Sequence, residues 1–282
     1  MSSPGSEMES LSLQTGKHYS LCYSVFKQSI VGKSCTLYFR HLPNVIRSMF
    51  QDTKEMSQFN ILSIGSGDGT EDIKVVKIVE EELQRIEKYR DVKIFLRGIE
   101  PNEYFKSLYD KSIEELTGSL KTRSVFDVRG NTFEEYMDQN DDLRFDLVVF
   151  THSMYYLDEE KSLKFCFDKA LKANGKVLVT LDISWILASV EVVEMVMKAV
   201  EKNKWRSSHA TDEYEIDVTK VFDAKSEEGI LLLDFLMHKV DFRANAGKEQ
   251  LDHAMKVVEE NTTLKNGKRF GKVAVRMFII SR

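Results

Sequence analysis

Three glycines at alternate positions, Gly65, Gly67 and Gly69, close the stretch NILSIGSGDGTE that runs from Asn60 to Glu71. Ahead of them Ile61, Leu62 and Ile64 are apolar and largely β-branched, as suits a parallel strand buried on both faces. Glycine lets the backbone turn sharply there and approach a ligand closely. A carboxylate, Glu100, ends the next apolar run, KIFLRGIE from Lys93, and Pro101 stops it. The third chemically loaded stretch is Thr151-His152-Ser153 with Tyr155 and Tyr156, directly after FDLVVF.

The spacing of the glycines narrows the ligand. A dinucleotide loop has the pattern G-x-G-x-x-G and sets a helix N-terminus against a pyrophosphate. Here the pattern is G-x-G-x-G, and Thr70 holds the sixth position. Asp68 and Glu71, in and beside the loop, repel a pyrophosphate and suit a cationic ligand. Glu100 at the end of the second strand is placed to accept hydrogen bonds from both hydroxyls of a ribose. A solvated strand end is the plain alternative for this residue taken alone. Together the two features point away from NAD and towards S-adenosylmethionine.

These residues need strands and helices to hold them. From Glu71 to Tyr89 the apolar positions Ile73, Val76, Val79, Leu83 and Ile86 recur at helical spacing. Glu103–Leu116 reads as the next helix and Arg123–Arg129 as a third strand. Asn131 and Thr132 stand where a helix cap belongs, before Phe133–Met137; Thr132 is also placed to bracket an adenine ring. Phe145–Phe150 is a fourth strand, 159–172 a helix, Lys176–Ile183 a fifth strand and Ser189–Lys202 a helix. Asn203–Asp212 reads as polar turn. Tyr214–Phe222 reads as a strand, Ile230–Val240 and Lys248–Glu260 as helices, and Val273–Ser281 as the last strand, with the turn at Asn266-Gly267. The expected fold is α/β and Rossmann-like: seven strands, parallel apart from the last, in one domain over 15–282. Residues 15–55 form a helical cap, in two segments redirected around Pro43, on a core of 56–282. The polar first 14 residues are expected to be a disordered tail.

The chain has 282 residues, 42% of them hydrophobic, which is ample for a packed core. With 40 Lys and Arg against 45 Asp and Glu, net charge −5, it carries no basic stripe of the kind nucleic acid requires. There is no apolar leader and no apolar run near 18 residues. Cys22, Cys35 and Cys166 lack metal-ligand spacing and read as reduced thiols. A cytoplasmic, metal-free protein without nucleic-acid or membrane partners, and a monomer, is the expectation.

ILSIGSGDG, IEPN, FDLVVFTHSMYYL and the closing VRMFIIS together resemble the histamine N-methyltransferase family of S-adenosylmethionine-dependent enzymes, over roughly residues 15 to 281. The resemblance implies a methyl donor held by Gly65, Ser66 and Gly67, by Glu100, by Phe105, by Thr132 and by Thr151. It implies an acceptor pocket lined by Tyr23, Phe26, Tyr155, Tyr156 and Trp185. The family's substrate glutamate falls within QSIVGKS, which holds no acid. Its glutamine falls on His152 and its asparagine on Val273. An ammonium group in an apolar pocket needs a carboxylate or another acceptor. The expected acceptor is therefore a small amine or heteroaromatic molecule other than histamine.

Methyl transfer asks mainly for positioning, with the acceptor lone pair in line with the methyl carbon and water excluded. Histidine titrates near neutrality, so His152 is the candidate to orient the acceptor or take its proton. Two rivals stand beside the N-methyltransferase reading: transfer to an oxygen, carboxyl or protein acceptor, and a non-catalytic donor-binding protein whose substrate positions have been lost.

Overall fold

The computed structural model describes residues 8–11, 16–32, 36–50, 56–139, 141–183 and 189–282. Nine strands occur among them: β1 (Ile30–Val31), β2 (Gln58–Ile64), β3 (Lys93–Ile99), β4 (Ser124–Arg129), β5 (Phe145–Thr151), β6 (Leu171–Asp182), β7 (Arg206–Asp217), β8 (Thr262–Lys265) and β9 (Lys268–Ser281). The α-helices are α1 (Lys17–Ser29), α2 (Leu37–Phe50), α3 (Thr70–Gln84), α4 (Glu103–Glu114), α5 (Gly118–Arg123), α6 (Phe133–Met137), α7 (Glu159–Phe165), α8 (Ser189–Lys202), α9 (Glu227–Met237), α10 (Phe242–Asn245) and α11 (Lys248–Glu260). No described helix is long and apolar enough to cross a membrane.

The chain clusters into two compact units, each drawn from several segments. The larger comprises Cys35–Asp182, Val190–Asp212 and Val275–Arg282. Its strands run in the order β7-β9-β6-β5-β2-β3-β4. The five from β6 to β4 are mutually parallel and β9 is antiparallel to β6. This is the Rossmann-like α/β sheet read from the sequence. Apart from Gln58, β2 is buried throughout, and β5 is buried up to Thr151, as strands covered on both faces must be. The chain passes from β2 outward to β4, then returns to β5 on the other side of β2, so the order reverses between β2 and β5. Ligands of open α/β sheets bind outside the carboxyl ends at that reversal.

The smaller unit comprises Met1–Ser34, Ile183–Ser189 and Glu213–Ala274. Here α1 packs on α9, with Phe26 stacked on Phe235 at 4.4 Å and Tyr23 tilted against the same ring at 5.9 Å. β1 pairs with the end of β7, and β8 forms a hairpin with the start of β9. That hairpin turns at Asn266 and Gly267, both at positive φ, as an Asn-Gly turn between strands should. These two short strands bring the count from the expected seven to nine.

Other boundaries differ for local reasons. The expected turn in Asn203–Asp212 is confined to Asn203 and Lys204, because β7 begins at Arg206 with its first residues mostly exposed; backbone pairing, not side-chain burial, makes the rest a strand. β7 stops at Asp217, whose carboxylate accepts from the Thr219 N–H at 3.0 Å and starts the 3₁₀ turn Thr219–Phe222. α2 runs through Pro43 without a break. Within the supposed tail, Ser10 bridges Lys239 and Leu11 is fully buried in the smaller unit; residues 1–7 and 12–15 lie outside the described residues.

Gly69 caps α3 at φ +78°, and a Cβ there would lie 2.1 Å from the Tyr109 ring. That ring cannot swing aside freely, because its hydroxyl donates to buried Asp72 at 2.9 Å. Left-handed backbone and steric overlap together predict that Gly69→Ala costs about 2 kcal/mol or more. Gly118→Ala, at φ +64° with open space around it, should cost about 1 kcal/mol. Urea midpoints at unchanged slope check the difference.

Candidate functional site

At the carboxyl end of β2 the loop Gly65-Ser66-Gly67 turns under left-handed φ at both glycines, +66° and +57°. The N–H groups of Gly65 and Ser66 both donate to the Ile99 carbonyl, at 2.8 and 3.2 Å, which ties the loop to the end of β3. Gly65 is required for a second reason. A Cβ on it would stand 2.5 Å from that of Ser153, and Ser153 itself donates from Oγ to the Ile64 carbonyl at 2.5 Å. The turns after β2 and β5 are thereby clasped across the reversal point.

Glu100 is buried at 6% exposure, one residue past β3. One carboxylate oxygen accepts from the Gly67 N–H at 2.7 Å and the other from the Asn102 N–H at 2.8 Å. Burial pushes its acid up to about 6, and the two N–H groups oppose that rise. Each oxygen has a further lone pair for an outside donor. Asn102 then caps α4 by accepting from the N–H groups of Tyr104 and Phe105, and Phe105 is buried in that first turn. Ser66 Oγ is buried and has no hydrogen-bond partner among the described residues. Thr132 caps α6 in a reciprocal box with Glu135 and is exposed just past β4.

A polar cluster stands at the ends of β5 and β6. Thr151 Oγ1 lies 2.7 Å from the Tyr38 hydroxyl, which also lies 3.0 Å from Thr180 Oγ1, so the start of α2 is fastened to both strands. Burial pushes the Tyr38 phenol well above its ordinary range. His152 takes φ +55°, a left-handed conformation that a non-glycine residue adopts only where its surroundings enforce it. Its N–H donates to the Thr180 carbonyl at 2.9 Å. The imidazole, 36% exposed, brings Nδ1 to 3.4 Å from an oxygen of Asp182, whose side chain is 11% exposed. The Tyr155 hydroxyl donates to the Asp182 carbonyl at 3.2 Å and accepts from the Asp182 N–H. Tyr156 is exposed and meets Tyr155 edge to face, with centroids 6.1 Å apart.

Gly65, Ser66, Gly67, Glu100 and Phe105 are thus joined by one loop, one strand end and one helix start. Thr151, His152, Tyr155 and Tyr156 share the second cluster. Thr132 sits after the neighbouring β4. Tyr23, Phe26 and Val273 belong to the smaller unit, where Phe26 and Val273 are buried, and Trp185 lies outside the described residues. Tyr38, Thr180 and Asp182 were not among the residues picked from the sequence. The signal for Asp182 was present: it is the acid that closes an apolar strand, KVLVTLD, by the same rule that selects Glu100.

No family model matches the chain. Histamine N-methyltransferase B of Xenopus laevis is 24% identical over 266 residues, covering 85% of this chain and 86% of that one. The Bos taurus histamine N-methyltransferase is 25% identical over 247 residues, 78% of this chain and 79% of that one. Among solved structures, loganic acid methyltransferase with S-adenosylhomocysteine superposes at a TM-score of 0.55 and 8% identity, over 98% of this chain and 99% of that one.

The donor fits the residues present. The loop at Gly65 and Gly67 admits close approach, the Glu100 carboxylate has lone pairs for a ribose diol, and buried Ser66 Oγ is free to pair. When bound, S-adenosylmethionine supplies the methyl group. A diol donates to the carboxylate but not equally to the acid, so binding weakens as Glu100 protonates. Affinity for S-adenosylhomocysteine should be level above about pH 6, where Glu100 is ionised, and fall by up to tenfold per pH unit below it. Stability runs the other way: the raised acid makes the empty fold pay for an ionised Glu100 above pH 6, a cost relieved as pH falls. Calorimetry across pH 5 to 8 on the parent protein and on Glu100→Gln, which should bind weakly and without this pH dependence, checks both arms. By its fold, its relatives and this loop, the chain is an S-adenosylmethionine-dependent methyltransferase.

Proposed function

We propose that the chain transfers a methyl group to the nitrogen of a small amine or imidazole-like molecule, with histamine itself a poor acceptor. The observation that supports this reading most is His152 beside Asp182, in a half-open position next to the donor loop. An amine reaches neutral solution largely as its ammonium and must lose a proton before its lone pair can attack. A half-exposed imidazole is suited to take that proton or to hold the nitrogen by a hydrogen bond.

Asp182 has the chemistry to assist in two ways. Its charge attracts an imidazolium at Nδ1, which leaves Nε2 for the acceptor. It also supplies a carboxylate to a chain whose QSIVGKS segment lacks the acid expected for an ammonium substrate. Tyr156 offers an exposed ring for a cationic or aromatic acceptor to lie against. The two curated relatives carry histamine in their names, which supports a nitrogen acceptor of this size. Positioning is the main contribution of these residues, since the reaction forms one bond as it breaks another. Glu100 and the Gly65 loop hold the donor, Tyr38 with Thr151 fixes the rim, and His152 with Asp182 serves the acceptor. Reduced, buried Cys22 and Cys166 take no part.

A panel of biogenic amines, imidazoles and carboxylic acids with methyl-labelled S-adenosylmethionine tests the class. Label should pass to an amine or imidazole nitrogen; transfer to carboxylates alone would overturn the reading. On the best acceptor, His152→Ala should lower kcat/KM at least tenfold and Asp182→Asn severalfold. Affinity for S-adenosylhomocysteine should stay unchanged in both.

A further inference from the structure

A second group of chemically active side chains lies in the smaller unit and has no part in methyl transfer. His18 and Cys22 are four residues apart on α1 and so occupy one face of it. Asp234 on α9 meets them. His18 Nε2 stands 3.0 Å from Asp234 Oδ2 and 3.6 Å from Cys22 Sγ, and the three ligand atoms all lie within 4.8 Å of one another. Cys22 and Asp234 are fully buried, while the His18 side chain is 27% exposed and gives the group an opening to solvent.

The arrangement is not that of a proton relay. A nucleophile, base and orienting acid need both nitrogens of the ring, one for each neighbour. Here thiol and carboxylate approach the same Nε2, which carries either one lone pair or one proton and cannot serve both fully. Burial, and then the charge of Asp234, push the Cys22 thiol up to about 12, so it is no free nucleophile at neutral pH either. A cation at the centre of the three atoms resolves the convergence. Bond lengths of about 2.0–2.3 Å to nitrogen, oxygen and sulfur in a tetrahedral centre separate the ligand atoms by roughly 3.3–3.7 Å, near the 3.0 and 3.6 Å that His18 makes with Asp234 and Cys22, with the third separation within 4.8 Å. The carboxylate is also held in place from behind: Asp234 Oδ2 accepts from the Asp241 N–H at 2.9 Å and Oδ1 from the Phe242 N–H at 2.8 Å. Such outer hydrogen bonds orient a metal-ligating carboxylate.

We propose that His18, Cys22 and Asp234 form a binding site for a divalent cation of zinc type, three protein ligands with the fourth position open to water. Imidazole with thiolate selects a borderline-soft ion over magnesium or calcium. The bound ion takes the place of the thiol proton, which leaves to solvent. Its effect is to cross-link α1 to α9 beside the Phe26–Phe235 stack.

Metal-stripped protein kept reduced with a phosphine is titrated with Zn²⁺, and with Co²⁺ as a coloured substitute. The expected result is one ion per chain, a sulfur-to-cobalt charge-transfer band in the near ultraviolet, and a higher Tm with zinc. Cys22→Ala should abolish that band and His18→Ala should weaken Zn²⁺ binding at least tenfold. Circular dichroism and S-adenosylhomocysteine affinity, unchanged in both, establish that they fold. Sub-stoichiometric binding by the parent protein, or Zn²⁺ affinity as high as the parent's in folded Cys22→Ala or His18→Ala, would overturn the proposal.

Discussion

A buried carboxylate is costly unless donors meet it, and the turn after β2 is arranged around one. Glu100 stands at 6% exposure with a backbone N–H on each oxygen, from Gly67 on one side and Asn102 on the other. Those two N–H groups come from the turn after β2 and the start of α4, so a single side chain fixes the loop, the strand end and the helix relative to one another. The two glycines are required for different reasons: a Cβ on Gly65 would stand 2.5 Å from that of Ser153, whereas Gly67 has open space around it and is set by its left-handed φ of +57°. Asp72, held by Ser63 and Tyr109 at 2.7 and 2.9 Å, repeats the device one layer down; there burial pushes the acid up to about 7.

The polar cluster around His152 is organised by strand ends rather than by a loop. β5 and β6 finish side by side and deliver Thr151, His152, Thr180 and Asp182 to one edge. Tyr38 spans the two threonines and carries the start of α2 to the same place. His152 has to adopt left-handed backbone to stay there. Strain of that kind persists only where the neighbours enforce it, and it tends to collect where side chains must point in a set direction.

Much of this was legible in the chain. Apolar runs ending in glycine or in an acid gave β2 and β3 and the residues that close them, because burial on both faces leaves a strand mostly apolar, with Asn60, Ser63 and Arg97 the buried polar exceptions. Thr132 was readable as a cap from its place just ahead of Phe133–Met137, and the structure adds the reciprocal bond with Glu135. What escaped depends on partners far away in sequence. Tyr38 acquires its place only through Thr151 and Thr180, more than a hundred residues on. The first part of β7, residues 206–213, escaped because exposed strand residues carry no hydrophobic period, and the acid that closes β6, Asp182, gains its partner His152 only once β5 and β6 lie side by side. Tyr23 and Phe26 are pocket residues only as the family resemblance implies; both meet Phe235 within the smaller unit, a contact that helical spacing alone does not disclose.

The central claim is that the pocket beyond β2 and β3 receives an adenosyl group whose sugar is gripped by Glu100. A crystal structure of the protein with S-adenosylhomocysteine measures it directly. The account predicts both ribose hydroxyls within hydrogen-bond distance of the Glu100 carboxylate and the ligand's backbone against Gly65. A ligand bound elsewhere, or a ribose turned away from Glu100, would contradict it.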